Sequence, residues 1–77
     1  MNNVALIGRL TRDPELKYSQ SGKAYCRFTV AVNREFNKDE ADFINCLAFN
    51  KTAETIAEYL RKGRRIALQG RISVSSY

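Results

Sequence analysis

Hydrophobic and polar positions alternate along most of this chain, and the alternation predicts strands. From Asn3 to Leu10, Val4, Leu6 and Leu10 share one parity while Ala5, Ile7 and Arg9 share the other. Ala5 and Ile7 are apolar as well, so both faces of this strand call for cover, a second subunit being one source of it. Asp13-Pro14 and Ser21-Gly22 are turn signals, and Leu16-Lys17-Tyr18 between them reads as short and extended. Ala24 to Arg34 is the clearest strand. Cys26, Phe28, Val30 and Val32 form its inward set, with Arg27, Thr29, Ala31 and Asn33 on an open face. The polar stretch Asn37 to Glu40 reads as a loop. In the strand from Asp42 to Asn50, Ile44, Cys46 and Ala48 point one way and Phe43, Asn45, Leu47 and Phe49 the other.

The period then changes. Ala53, Ile56, Ala57 and Leu60 recur at helical spacing between Thr52 and Lys62. Thr52 is the predicted cap of that helix, Arg61 and Lys62 suit its C-terminal dipole, and Gly63 suits a left-handed exit. From Ile66 to Tyr77 the period returns to two. Ile66, Leu68, Ile72 and Val74 are predicted inward, Gln69, Arg71, Ser73, Ser75 and Tyr77 outward, with a bend or bulge at Gly70. The order is β-β-β-α-β, with no repeat, linker or low-complexity segment, so residues 1–77 form a single domain. An all-β fold with one short helix between the third and fourth strands fits the OB-fold, a five-stranded Greek-key barrel. On this count the chain stops before the fifth strand.

Composition narrows the chemistry. A domain of 77 residues buries only roughly 60% of its unfolded surface, so a partner subunit or ligand adds to its stability. No apolar run approaches the ~18 residues of a membrane span, and Met1-Asn2-Asn3-Val4 opens no signal peptide. A soluble, cytoplasmic protein without membrane attachment is expected. There is no histidine, which removes the most versatile general base and the usual nitrogen ligand of zinc. Cys26 and Cys46 lie twenty residues apart with nothing to complete a metal site. They read as buried reduced thiols, with a disulfide or redox role as the alternative. Catalysis, metal and cofactors are therefore not expected; a binding role is.

The net charge of +5 is unevenly spread. Residues 1–34 carry six basic and two acidic side chains, residues 35–58 two basic and six acidic, and residues 59–77 five basic and none acidic. The last group, Arg61, Lys62, Arg64, Arg65 and Arg71, creates the positive field that attracts phosphates.

Aromatic rings sharpen this. Phe43 and Phe49 share the open side of their strand with Asn45, where a phenylalanine loses its burial energy unless something covers it. Tyr77 shares a predicted face with Arg71. Phe36 follows Arg34 at the far end of the second strand; it has the parity of that strand's buried set, and only a bulge or an overrunning strand frees it. Rings among basic residues on a curved sheet make a stacking platform for unpaired bases, worth roughly 1–3 kcal/mol per base in any sequence. Phe28 and Tyr59 read as packing residues, whereas Tyr18 and Tyr25 are undecided. Charge and strand face nominate Arg9, Arg34 and Arg71 as phosphate contacts.

Asn3-Val-Ala-Leu-Ile-Gly-Arg-Leu, Asp13-Pro-Glu-Leu-Lys-Tyr, Ser21-Gly, Phe28-Thr-Val-Ala-Val-Asn-Arg, Asp42-Phe-Ile-Asn-Cys and Ala57-Glu-Tyr-Leu-Arg-Lys-Gly together resemble the bacterial single-stranded DNA-binding proteins. The resemblance runs along nearly the whole chain in order. It implies an OB-fold subunit, usually of a homotetramer, that wraps single-stranded DNA in replication, recombination and repair. It also implies base stacking at Phe36, Phe43, Phe49 and Tyr77, phosphate contacts at Lys17, Lys51 and Lys62, and a nucleoid-associated place in the bacterial cytoplasm. Two departures stand out. The loop from Asn37 to Ala41 is shorter than the family's hairpin, and the fifth strand and the acidic C-terminal tail that recruits replication and repair proteins are absent, as if segments were omitted. Two rival readings remain: an assembly module whose open aromatic face packs against a protein, with Phe43 and Phe49 as anchors, and a small nuclease using Asp39, Glu40 and Asp42.

Overall fold

Five strands and one helix make up the computed structural model, which describes residues 1–37 and 39–74. In chain order they are β1 (Val4–Leu10), β2 (Glu15–Tyr18), β3 (Ala24–Asn33), β4 (Ala41–Phe49), α1 (Asn50–Tyr59) and β5 (Arg65–Gly70). Every pairing is antiparallel, and β3 is the hub. One edge of β3 pairs β2 from Tyr18↔Ala24 to Glu15↔Arg27 and then β1 at Leu10↔Val30 and Arg9↔Ala31. Its other edge pairs β4 from Tyr25↔Phe49 to Asn33↔Ala41. β1 continues onto β5 from Val4↔Gly70 to Arg9↔Arg65. Among the described residues β4 pairs only β3 and β5 pairs only β1, so each has one open edge.

The strand count comes to five because the short extended segment is a true strand. Glu15 to Tyr18 pairs β3 along its full length. The last strand, in contrast, ends sooner than its alternation predicts. Gly70 is its final residue rather than a mid-strand bend, and Ile72 and Val74 are exposed instead of inward. The Asn2 side chain takes over there: its amide donates to the Ile72 carbonyl (2.8 Å) and its oxygen accepts from the Ile72 N–H (2.9 Å). A side chain thus satisfies backbone groups that a ladder would otherwise use. The outward positions Ser75 and Tyr77 lie outside the described residues.

The helix also starts earlier than predicted, at Asn50. Phe49 occupies the capping position without a side-chain bond, and Thr52 falls inside the first turn. Asn50 makes the entry possible by adopting φ 57°, a left-handed conformation that asparagine tolerates better than most residues. At the other end the Arg61 guanidinium donates to the carbonyls of Ala57 and Leu60, both at 2.7 Å, placing a cation at the negative end of the helix. Gly63 has the predicted positive φ (82°), but in the turn beyond the helix, which the Arg64 N–H closes onto the Arg61 carbonyl. That turn is fastened to β1, with Gly63 N–H donating to the Leu10 carbonyl (2.8 Å) and Leu10 N–H to that of Arg64 (3.1 Å).

The core lies between the inner face of the sheet and the helix. Leu10, Ala24, Cys26, Phe28, Val30 and Ala53 are buried, with Leu16, Ile56, Leu60, Ile66 and Leu68 packed around them. β1 can cross β3 closely only because residue 8 is glycine. A Cβ there would overlap the Ala31 carbonyl oxygen and stand 2.6 Å from Val30 Cγ1.

Candidate nucleic-acid interface

With the helix and core on one side of the sheet, the registers define rows of residues on the other. Paired residues in an antiparallel ladder share a face. Lys17, Tyr25 and Phe49 form one row, and Glu15, Arg27 and Leu47 the next. Thr29 and Asn45 form a third, joined by a hydrogen bond from the threonine hydroxyl to the asparagine oxygen (3.0 Å). The fourth runs across four strands: Arg65, Arg9, Ala31 and Phe43.

The two phenylalanines of β4 therefore cap opposite ends of a polar face. Phe43 is 69% exposed and Phe49 58%, and six steps of extended strand separate them by roughly 20 Å. Phe36 is 98% exposed. It lies beyond the end of β3 at Asn33, in the connection to β4, so the parity of β3 no longer governs it. Tyr18 and Tyr59 are also exposed, the latter on the helix rather than packed. Tyr25, half-buried, stands beside Phe49. Tyr77 lies outside the described residues.

The cations divide into three kinds. Arg9 and Lys17 sit on the aromatic face; Arg9 donates to the Gly63 carbonyl (3.0 Å) and Lys17 makes a loose pair with Glu15 (3.5 Å). Lys51 and Lys62 lie at opposite ends of the helix, Lys51 two residues after Phe49 and Lys62 with its backbone N–H bound to Asp13 (2.8 Å). Arg71 is exposed just past β5. Arg34 differs from all of these. Its Nη1 contacts Glu40 (2.9 Å), and its Nε and Nη2 contact the same oxygen of Asp42 (3.2 and 3.0 Å). Its backbone N–H also donates to the Glu40 carbonyl (3.0 Å), so Arg34 ties together the two ends of the connection that carries Phe36. Glu40 and Asp42, two of the acids available to a nuclease, are committed to this guanidinium.

Sequence reasoning placed Arg27 on the open face without nominating it as a contact, and missed Arg65 there. Arg65 reads as part of a basic turn until the β1–β5 register sets it against Arg9. Among the described residues, two of the open concavities carry arginines. The larger, of about 540 Å³, mixes Arg12 and Arg27 with Asp13 and Glu15. The smaller, of about 370 Å³, carries Arg9, Arg65 and Asn33. Cys26 and Cys46 are both free thiols. Desolvation by burial pushes both pKa values up, with the charge of Glu15 adding to the effect at Cys26. A raised pKa opposes thiolate formation, the reactive form needed for redox work.

Residues 1–77 match the model of the single-strand binding protein family. The single-stranded DNA-binding protein of Clostridium perfringens is 63% identical over 78 residues that take in all of this chain and 52% of that protein. That of Fusobacterium nucleatum is 63% identical over 83 residues, again all of this chain and 54% of the other. The chain thus spans about half the length of these relatives. Among solved structures, the wild-type single-stranded DNA-binding protein of Thermus aquaticus superposes with a TM-score of 0.81 at 38% identity, over 92% of this chain and 32% of that one.

Proposed function

This chain belongs to the single-strand binding protein family, and we propose that it binds single-stranded DNA without regard to sequence, protecting and organising it in replication, recombination and repair. The observation that carries the proposal is the pair of exposed rings, Phe43 and Phe49, standing on a polar sheet face among Arg9, Lys17 and Arg65. In a soluble monomer such rings forfeit burial energy; under unpaired bases they recover it. Bases stack on Phe43 and Phe49, with Phe36 and Tyr77 extending the path, and phosphates meet Arg9, Lys17, Lys51, Lys62 and Arg71. Stacking needs only a π-face, so no base is preferred, and no bond is made or broken. Arg34, held by Glu40 and Asp42, acts instead by fixing the connection between Phe36 and Phe43.

The same proposal includes self-assembly, with a homotetramer as the working stoichiometry, and a cytoplasmic, nucleoid-associated location. Recruitment of replication and repair proteins through an acidic C-terminal tail belongs to it as a property of the full-length protein. The chain has no tryptophan to report quenching, so the test uses fluorescence anisotropy of labelled oligo-dT. Phe43→Ala and Phe49→Ala should each weaken binding by about 1–3 kcal/mol while leaving the circular dichroism spectrum unchanged. A folded double variant that binds as tightly as the parent would sink the stacking assignment. No binding by the parent would favour the assembly-module reading.

A further inference from the structure

Phe43 and Phe49 leave a stretch of sheet between them that carries no ring. Two rows cross it, Glu15–Arg27–Leu47 and Thr29–Asn45. The concavity of about 540 Å³ opens over these rows and also takes in Arg12 and Asp13 from the connection between β1 and β2. None of its lining residues belongs to β1 or β5. Two arginines balance two carboxylates there, so a phosphate would meet as much repulsion as attraction. The concavity offers hydrogen bonds of both kinds instead. Asp13 already accepts from the Lys62 backbone N–H (2.8 Å), whereas Glu15 has only the loose pair with Lys17 at 3.5 Å. Arg27 faces Glu15 in register, yet among the described residues its side chain forms no ion pair, which leaves its fork of donors open. The Thr29 hydroxyl donates to the Asn45 oxygen (3.0 Å), which leaves the asparagine NH₂ as a further donor.

We propose that this concavity reads a base: Glu15 and Arg27 take the edge of a guanine carried between the two bases stacked on Phe43 and Phe49. The inference rests on the proposal of single-stranded DNA binding and adds to it a preference at one nucleotide, which the rings themselves do not supply. The rings stand roughly 20 Å apart, farther than two successive nucleotides span, so a strand held on both carries bases with no ring beneath them. Such a base gains from hydrogen bonds at its edge. Guanine presents two adjacent donors, N1–H and the 2-amino group, that match the two oxygens of one carboxylate, and its O6 and N7 match an arginine fork. Thymine offers a carboxylate one N–H, and cytosine and adenine one amino group each. Glu15 and Arg27 lie side by side on neighbouring strands, as contact with one base requires.

The test compares binding to a dT oligonucleotide with binding to the same oligonucleotide carrying dG, dA or deoxyinosine at one internal position, by anisotropy at fixed salt. One base held by a carboxylate and an arginine should make dG bind about fivefold tighter than dT, or more. Deoxyinosine, which lacks the 2-amino group, should lose most of that gain. Glu15→Gln should bring the ratio of dG to dT affinity close to one. Glu35→Gln removes the same charge outside the concavity and should keep the parental ratio. A parental ratio of one overturns the site, as does a preference that survives Glu15→Gln. An equal gain from dA assigns the effect to purine stacking on the rings and also overturns it. If no oligonucleotide binds, single-stranded DNA binding itself fails, and this site with it.

Discussion

At the scale of single residues, charge counted along the sequence differs from charge available on the surface. Arg34 counts as a cation beside Phe36, yet its guanidinium spans Glu40 and Asp42, and the three together carry a net negative charge. All three are about half exposed, so the cluster contributes little to stability. Its main effect is on what a phosphate meets near the connection between β3 and β4. Asp42→Asn leaves the Glu40 pair in place but removes the cluster's net negative charge, and should tighten oligo-dT binding, most at low salt. Anisotropy titrations at two salt concentrations measure this, and weaker binding by a folded Asp42→Asn would contradict it. Phe43 and Phe49 were legible from the sequence because they alternate with polar Asn45, and local parity decides which side of a strand a residue takes. Arg34's partners and the Arg9–Arg65 pair were not, since those depend on side-chain reach and on a register between distant segments.

At the scale of elements, strand parity and helical period located most of the secondary structure, and the ends were set by contacts that no local pattern contains. β2 is a strand because β3 extends far enough to pair with it. β5 ends at Gly70, and beyond it an asparagine at the opposite end of the chain captures Ile72. The helix begins two residues early through the left-handed Asn50, where a threonine cap was the expected signal. Gly8 is the position where an element depends most on a single residue. β1 leaves β3 there to continue along β5, and the Ala31 carbonyl fills the space of a side chain. Gly8→Ala should therefore cost about 1–3 kcal/mol through overpacking, well above the ordinary effect of glycine replacement in a strand. Urea unfolding followed by circular dichroism reads this as a lower midpoint at constant slope. An unchanged midpoint would mean that β1 shifts away from β3 without cost.

At the scale of the whole molecule, the proposed self-assembly has an apolar surface to use on the outer side of β1. Ile7 is 58% exposed, and Ala5 and Ala67 flank it on the same face. From Val4 to Gly8, β1 pairs β5 along one edge, and no residue of β3 is in register along the other. An open, apolar strand edge invites pairing with a second copy, and a domain of this size gains stability from the surface buried. Charge is divided along the same face: its apolar part lies toward the start of β1, while Arg9 and Arg65 lie at the other end. Light scattering should accordingly give a mass several times the 8.8 kDa of one chain, fourfold for a homotetramer. Ile7→Glu places a charge in the middle of the apolar patch and should reduce the mass toward that of a single chain with the fold retained. A parent that stays monomeric at every concentration would remove self-assembly from the proposal. A smaller Ile7→Glu particle that still binds oligo-dT, only less tightly, would separate the contribution of assembly from that of the aromatic face.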